Sequence, residues 1–195
     1  MILAGDIGGT KTVLALFDEV ANGLDLKHEE TFASKGAATL EALALRFLDG
    51  CHRPPVRAAC LGVAGAVVAG HVKATNLPWE IDEASLAATL GIPRVRLLND
   101  LEAAAHGVLT APAETFFTLQ TGLQREQPAT MALIAAGTGL GEAIIPWDGT
   151  RHHVLASEGG HVDFAPRSEL EAQLWEFLRR EYGHVSYERV LSGPG

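Results

Sequence analysis

The sequence predicts an α/β fold in two parts, and three observations predict it. Short apolar runs that suit buried strands alternate with stretches of helical periodicity along the whole chain. A strand–glycine turn–strand unit occurs twice, at Gly8-Gly9 near the start and at Gly137–Gly141 in the second half. Between the two units, "TAPAE" (Thr110–Glu114) breaks a helix and marks a boundary between parts 1–110 and 111–195.

In order along the chain, Ile2–Gly5 and Thr12–Asp18 are apolar runs joined by a glycine turn, which reads as a hairpin. Leu26–Ala33 extends it as a third, more exposed strand. Leu40, Leu43, Phe47 and Leu48 recur at helical spacing over Thr39–Leu48. Arg57–Val68 is an apolar strand with Gly62 and Gly65 near its end. Asp82 caps a helix over Asp82–Leu90, and Gly91 and Pro93 stop it. Val95–Leu98 is a buried strand that ends at Asn99-Asp100, directly before a helix over Leu101–Leu109. In the second part Met131–Ala136 and Glu142–Trp147 are strands around the Gly137–Gly141 turn. Ser168 and Glu171 make a capping box for a helix whose apolar face is Leu170, Leu174, Phe177 and Leu178. A last short helix in "SYERVLSGPG" stops at Gly193-Pro194-Gly195.

The bulk composition excludes several function classes. The 195 residues are 47% hydrophobic and 20% charged, which is the balance of a globular protein with a core. The net charge is −9 with Lys and Arg scattered, so no basic stripe is present to displace counterions from nucleic acid. The apolar start is cut short by Asp6, and neither a signal peptide nor a membrane span is expected. Cys51 and Cys60 fit no metal-binding spacing and read as two thiols in a reducing compartment, with the cytoplasm as the default location.

Four motifs carry chemistry. "GDIGGTKT" resembles a P-loop, but Thr10 stands where that loop needs glycine, and a strand rather than a helix follows. Read as a hairpin tip, Gly8 and Gly9 let backbone amides approach an anion, Thr10 and Lys11 donate to it, and Asp6 can hold a hydrated Mg²⁺. A plain hairpin turn with solvated neighbours is the alternative. "GTGLG" is a second such turn, and two facing glycine turns can clamp a polyphosphate. Asn99-Asp100 lies at the carboxyl end of a strand, where ligands collect in α/β sheets. There Asp100 sits at the positive end of a helix dipole and can orient a hydroxyl and accept its proton, or it can simply cap the helix. "SEGGHVDFAP" places Glu158, His161 and Asp163 on a glycine-rich loop suited to ringing a polyol, whereas a metal site is unconvincing without helical ligand spacing. The remaining histidines, at 28, 52, 71, 106, 152, 153 and 184, have no motif behind them.

With these in order, the chain resembles a bacterial-type glucokinase of the sugar kinase–actin–heat-shock-protein superfamily. The marks are "GDIGGTK", "TNLPW" (Thr75–Trp79), "LLNDLEA", "GTGLG", "EGGHVDFAP" and "HVSYERVLSGPG", from Asp6 to Gly195. The related ROK sugar kinases add a cysteine-rich zinc loop, and here Cys51 and Cys60 lie far from His161, which favours the zinc-free branch. The resemblance implies a ribonuclease-H-like, actin-like ATPase fold with two α/β domains about a cleft. It implies ATP and Mg²⁺ as cofactors and glucose as substrate, with no nucleic-acid or membrane partner and a homodimer compatible with the full-length form. Asp6 would position Mg²⁺, Gly8, Gly9, Thr10 and Lys11 would form the first phosphate turn, and Gly137, Thr138 and Gly139 the second. Asp100 would be the base for the sugar 6-hydroxyl, with Asn99, Glu158, His161 and Glu188 completing the sugar contacts and Asn76 at the mouth of the sugar cleft. Glu188 reads, without the resemblance, as a surface residue of a short helix.

Length is the departure from the resemblance. Family members continue past "LSGPG", so the second domain is expected to be incomplete and to lack the adenosine-binding segment. Three functions follow as expectations: an ATP-dependent glucokinase, a non-catalytic sugar-binding remnant or sensor, and another ATPase of the superfamily. The third has no use for the Glu158/His161 loop. Apolar faces left exposed predict poor solubility or association.

Overall fold

The computed structural model describes residues 1–21, 23–123 and 128–193, so the predicted Pro194-Gly195 stop lies outside the described residues. The chain divides into two compact units, Met1–Ala103 and Ala104–Gly195.

The first unit is built on a five-stranded mixed sheet. Its strands are β1 (Ile2–Ile7), β2 (Lys11–Val20), β3 (Gly23–Ala33), β4 (Ala58–Val63) and β7 (Val95–Asn99), in the order β3-β2-β1-β4-β7. β1 pairs antiparallel with β2 and parallel with β4, and β4 pairs parallel with β7. Alternation along the strands assigns the faces. Leu3, Ile7, Leu14, Leu16, Leu61 and Leu97 point to one side and are buried with α1 (Leu40–Gly50) and α2 (Glu83–Leu90) in a single core. Thr39 and Asp82 cap these helices by accepting from Ala42 N and Ser85 N, and Gly91 ends α2 at φ 68°. The predicted strand over Arg57–Val68 ends sooner, at Val63. Gly65 then turns the chain at φ 151°, where a Cβ would come within 2.9 Å of the Lys73 carbonyl. A small hairpin of β5 (His71–Lys73) and β6 (Glu80–Asp82) follows, with "TNLPW" between its strands.

The second unit holds a three-stranded sheet of β8 (Met131–Ala136), β9 (Leu140–Ile145) and β10 (Leu155–Ser157), in the order β10-β9-β8. β9 begins two residues earlier than predicted, because the turn closes over three residues with Gly137 N donating to Gly139 O at 2.8 Å. α4 (Glu169–Tyr182) and α5 (Tyr187–Leu191) complete the described elements. The capping box is shifted from its usual form: Ser168 accepts from Glu171 N, but the Glu171 carboxylate takes Arg167 N instead of Ser168 N. The predicted apolar face of α4 is present and uncovered, with Leu170 and Phe177 76% and 62% exposed. α3 (Asp100–Thr110) begins in the first unit, and the division between the units falls inside it, ahead of Thr110–Glu114.

Candidate active site

In the first unit, the carboxyl ends of β1, β4 and β7 gather the predicted residues. Asp6 is exposed on β1 and faces away from the core, in register with Gly62 of β4. Gly62 is glycine for a packing reason: a Cβ there would come within 3.0 Å of Ala103 Cβ and 3.7 Å of Asp100 Cα. The start of α3 therefore lies against β4 on the same face as Asp6. The first glycine turn is closed by Gly8 N donating to Lys11 O at 3.0 Å. Among the described residues, the Gly9 and Thr10 amides have no protein partner, which leaves two donors for an anion. Asn76 packs on this turn, its Cβ 3.0 Å from where a Gly9 Cβ would sit, and holds the left-handed conformation that asparagine tolerates (φ 64°).

The Asn99-Asp100 pair divides its labour. Asn99 caps α3, its Oδ1 accepting from Leu101 N at 3.0 Å and Glu102 N at 3.3 Å. Its Nδ2 donates to Gly65 O at 3.0 Å, which ties the end of β7 to the bend after β4. One Asn99 N–H remains for a ligand. Asp100 is exposed; its Oδ1 accepts from Leu101 N at 2.9 Å, and its Oδ2 has no partner among the described residues. Asn99 thus performs the capping that the sequence offered as the alternative role of Asp100.

In the second unit, Glu188 reaches from α5 into the second glycine turn. Its Oε2 accepts from Leu140 N at 3.0 Å and would lie 2.6 Å from a Cβ at Gly139, so this turn admits the carboxylate only because Gly139 has none. Gly193 N closes the other side by donating to Gly137 O at 2.7 Å. The His161 ring lies between two carboxylates, with Nδ1 3.3 Å from Glu158 Oε2 and Nε2 3.6 Å from Glu188 Oε1. Glu158, His161, Glu188 and the Gly137–Gly139 turn form one constellation within this unit. An added Cβ at Gly160 would overlap the Leu140 carbonyl, so the "EGGH" loop is pressed onto the start of β9. A cavity of ≈ 180 Å³ opens beside the turn, lined by Thr138, Leu174, Leu178, Tyr182, Glu188 and Arg189.

The Glucokinase family model matches residues 3–195. The chain belongs to the glucokinase family. It is 42% identical over 200 residues to a glucokinase of Trichormus variabilis, covering 100% of this chain and 58% of that protein. It is 40% identical over 194 residues to a glucokinase of Yersinia pestis, covering 99% of this chain and 58% of the relative. Among solved structures, the glucokinase from an Antarctic psychrotroph matches with a TM-score of 0.84 and 32% identity, covering 100% of this chain and 61% of that one. The glucokinase of Balamuthia mandrillaris, solved with glucose, matches in fold with a TM-score of 0.74 at 23% identity, covering 100% and 60%. The chain thus spans about three fifths of the length of the glucokinases it matches. The expected fold class, α/β of the actin-like ATPase type, is the one this glucokinase-family chain has, and its five-stranded sheet is mixed.

Two members of the first glycine turn's setting went unread in the sequence. Thr12 and Ser34 are fully buried, and their hydroxyls meet at 2.9 Å. The only local signal was a threonine at the buried end of an otherwise aliphatic strand. As to metal, among the described residues no three His, Cys, Asp or Glu side chains form a group able to hold an ion. An exposed Asp6 on the same face as the start of α3 fits Mg²⁺ in its usual form, which keeps several waters and takes one or two carboxylates plus substrate phosphates.

Proposed function

We propose that this chain carries out the glucokinase reaction, transferring the γ-phosphoryl group of ATP to the 6-hydroxyl of glucose to give glucose 6-phosphate. The observation that carries the reading is the division of labour at the end of β7: Asn99 caps α3 and leaves an Asp100 carboxylate oxygen free at the carboxyl ends of three parallel strands. Asp100 orients the sugar hydroxyl and accepts its proton late in a loose transition state. The remaining Asn99 N–H and the Glu158, His161 and Glu188 side chains hold sugar hydroxyls, while Asn76 braces the first turn. The amides of Gly8–Lys11 and of Gly137–Gly139, with the Thr10 and Thr138 hydroxyls and the Lys11 ammonium, balance the charge of the phosphates. Asp6 would hold Mg²⁺, which would supply further charge neutralisation to the phosphates. The reaction is assigned to the cytoplasm, where its nucleotide is found; none of the described helices is long and apolar enough to cross a membrane. On this reading parts 1–110 and 111–195 are the two domains of the kinase.

A coupled assay for glucose 6-phosphate tests the proposal. Turnover by the chain, lowered about 10²–10⁴-fold in Asp100→Ala while glucose still raises the melting temperature, is expected. A second reading is favoured by the coverage of the relatives, of which 58% is matched: a sugar-binding protein without turnover. Glucose-dependent stabilisation with no product in the wild-type chain would establish it.

A further inference from the structure

The first glycine turn is held by a chain of buried hydroxyls, and the direction of its protons can be deduced. Ser34 opens a short 3-10 turn after β3, and its Oγ lies 2.7 Å from the Gly8 carbonyl oxygen and 2.9 Å from Thr12 Oγ1. A carbonyl cannot donate, so the single Ser34 hydroxyl proton goes to Gly8 O. The proton in the Thr12–Ser34 contact must then come from Thr12. Both side chains are 0% exposed, so no water takes the place of either. Ser34 also grips the turn a second time, its N–H donating to Thr10 O at 3.0 Å.

This geometry has a consequence for the ligand-facing side. The Gly8 carbonyl and the Gly9 N–H belong to one planar trans peptide unit and point in opposite directions. Fixing the carbonyl inward on Ser34 therefore aims the Gly9 N–H outward, where it has no protein partner among the described residues. We infer that Thr12 and Ser34 are positioning residues for the phosphoryl donor: their hydroxyl relay locks the Gly8–Gly9 peptide so that its N–H is preset toward the donor's phosphate. The inference rests on the glucokinase reading for the identity of the ligand, but not for the existence of the relay. Neutral hydroxyls suit the role, because they stay uncharged across the working pH range and leave the field at the turn to amides, Lys11 and Asp6.

The test uses Ser34→Ala, the near-isosteric Thr12→Val, their double variant and the conservative Thr12→Ser. In steady-state kinetics the KM for MgATP is expected to rise about tenfold in Ser34→Ala and less in Thr12→Val, with the KM for glucose unchanged. The double variant should be no worse than Ser34→Ala alone, because Thr12 acts only through Ser34, and Thr12→Ser should behave as wild type. Equal changes in both KM values, or additive effects in the double variant, would overturn the relay as a positioning device and leave it a packing feature. Hydrogen exchange of the Gly8 amide, whose bond to Lys11 O closes the turn, is read in parallel and needs no turnover. If the wild-type chain lacks activity, roughly tenfold faster exchange in Ser34→Ala with the β4 core amides unchanged sustains the relay while the kinase reading fails. Unchanged exchange at Gly8 overturns the relay itself.

Discussion

The two glycine turns are similar in sequence and differ in what holds them. The first, Gly8–Lys11, is fastened from beneath by two uncharged hydroxyls at 0% exposure, under a core that takes in two helices and one face of a five-stranded sheet. The second, Gly137–Gly139, is held by the carboxylate of Glu188, a side chain 27% exposed and itself in contact with His161. Few large apolar side chains are buried around it, chiefly Leu140, Ile145 and Val185. A turn fixed by neutral buried groups is indifferent to charge. A turn fixed by a carboxylate that also faces His161 ties the turn to the "EGGH" loop through one charged residue. The difference is one architectural device, strand–glycine turn–strand, fastened by neutral buried groups in one unit and by a partly exposed charge in the other.

The contrast between a closed and an open core gives the largest predicted difference. Phe47→Ala, fully buried in the first unit, is expected to cost about 3–5 kcal/mol in urea unfolding. Phe177→Ala, 62% exposed on α4, should change stability by less than about 0.5 kcal/mol. Similar costs at the two sites would erase the distinction between the units.

Next come the glycines of the second unit. Gly160→Ala forces its new methyl into the Leu140 carbonyl, a backbone atom, and should lower stability by about 1–3 kcal/mol. Gly137→Ala meets nothing within 4 Å and should be near neutral by thermal melting. Glu188→Ala leaves Leu140 N without its acceptor, for an expected cost of about 1 kcal/mol. Glu188→Gln keeps an acceptor and should recover most of that stability, though not sugar binding. A Gln variant as unstable as the Ala variant would show that charge, rather than the hydrogen bond, holds the turn.

The smallest effect concerns acid. Asp148 accepts from His153, Thr150 and the Thr150 and Arg151 amides, and these bonds, His153 foremost, hold its carboxyl well below the usual carboxylate range. A depressed carboxyl stabilises the folded hairpin above its unfolded value of about 3.9, and that stability is lost as pH falls below it. Asp148→Asn should speed hydrogen exchange in the Trp147–His152 turn at pH 7, where the carboxylate's stabilisation is present, and flatten its acid dependence below about pH 4. An unaltered acid profile would remove Asp148 from the account.

Much of the fold was legible in the sequence because its signals are local. Strand periodicity, the Asp82 and Ser168 caps and the Gly91 stop are each written within a few residues. Asp6, the two glycine turns and Asn99-Asp100 were legible for the same reason. What escaped depends on distant partners. Ser34 is 22 residues from Thr12 and 26 from Gly8, and only the pairing of β2 with β3 brings them together. Glu188 meets the second turn across 48 residues, which its place on a short helix does not disclose. The Asn99-Asp100 dipeptide left open which residue caps α3, since both side chains can, and only the path past Gly65 decides for Asn99. The apolar stripe of α4 was read correctly as a pattern, but a pattern does not say what covers it.

The central claim is that Asp100 is the free carboxylate of a sugar kinase while Asn99 does the structural work beside it. Glucose 6-phosphate formation by wild type, Asp100→Asn and Asn99→Ala, each paired with its melting temperature, tests it most directly. The account predicts that Asp100→Asn loses about 10²–10⁴-fold in kcat with an unchanged melting temperature, whereas Asn99→Ala also loses about 1 kcal/mol of stability with its cap. Full turnover in Asp100→Asn, or a stability loss there as large as in Asn99→Ala, would contradict it.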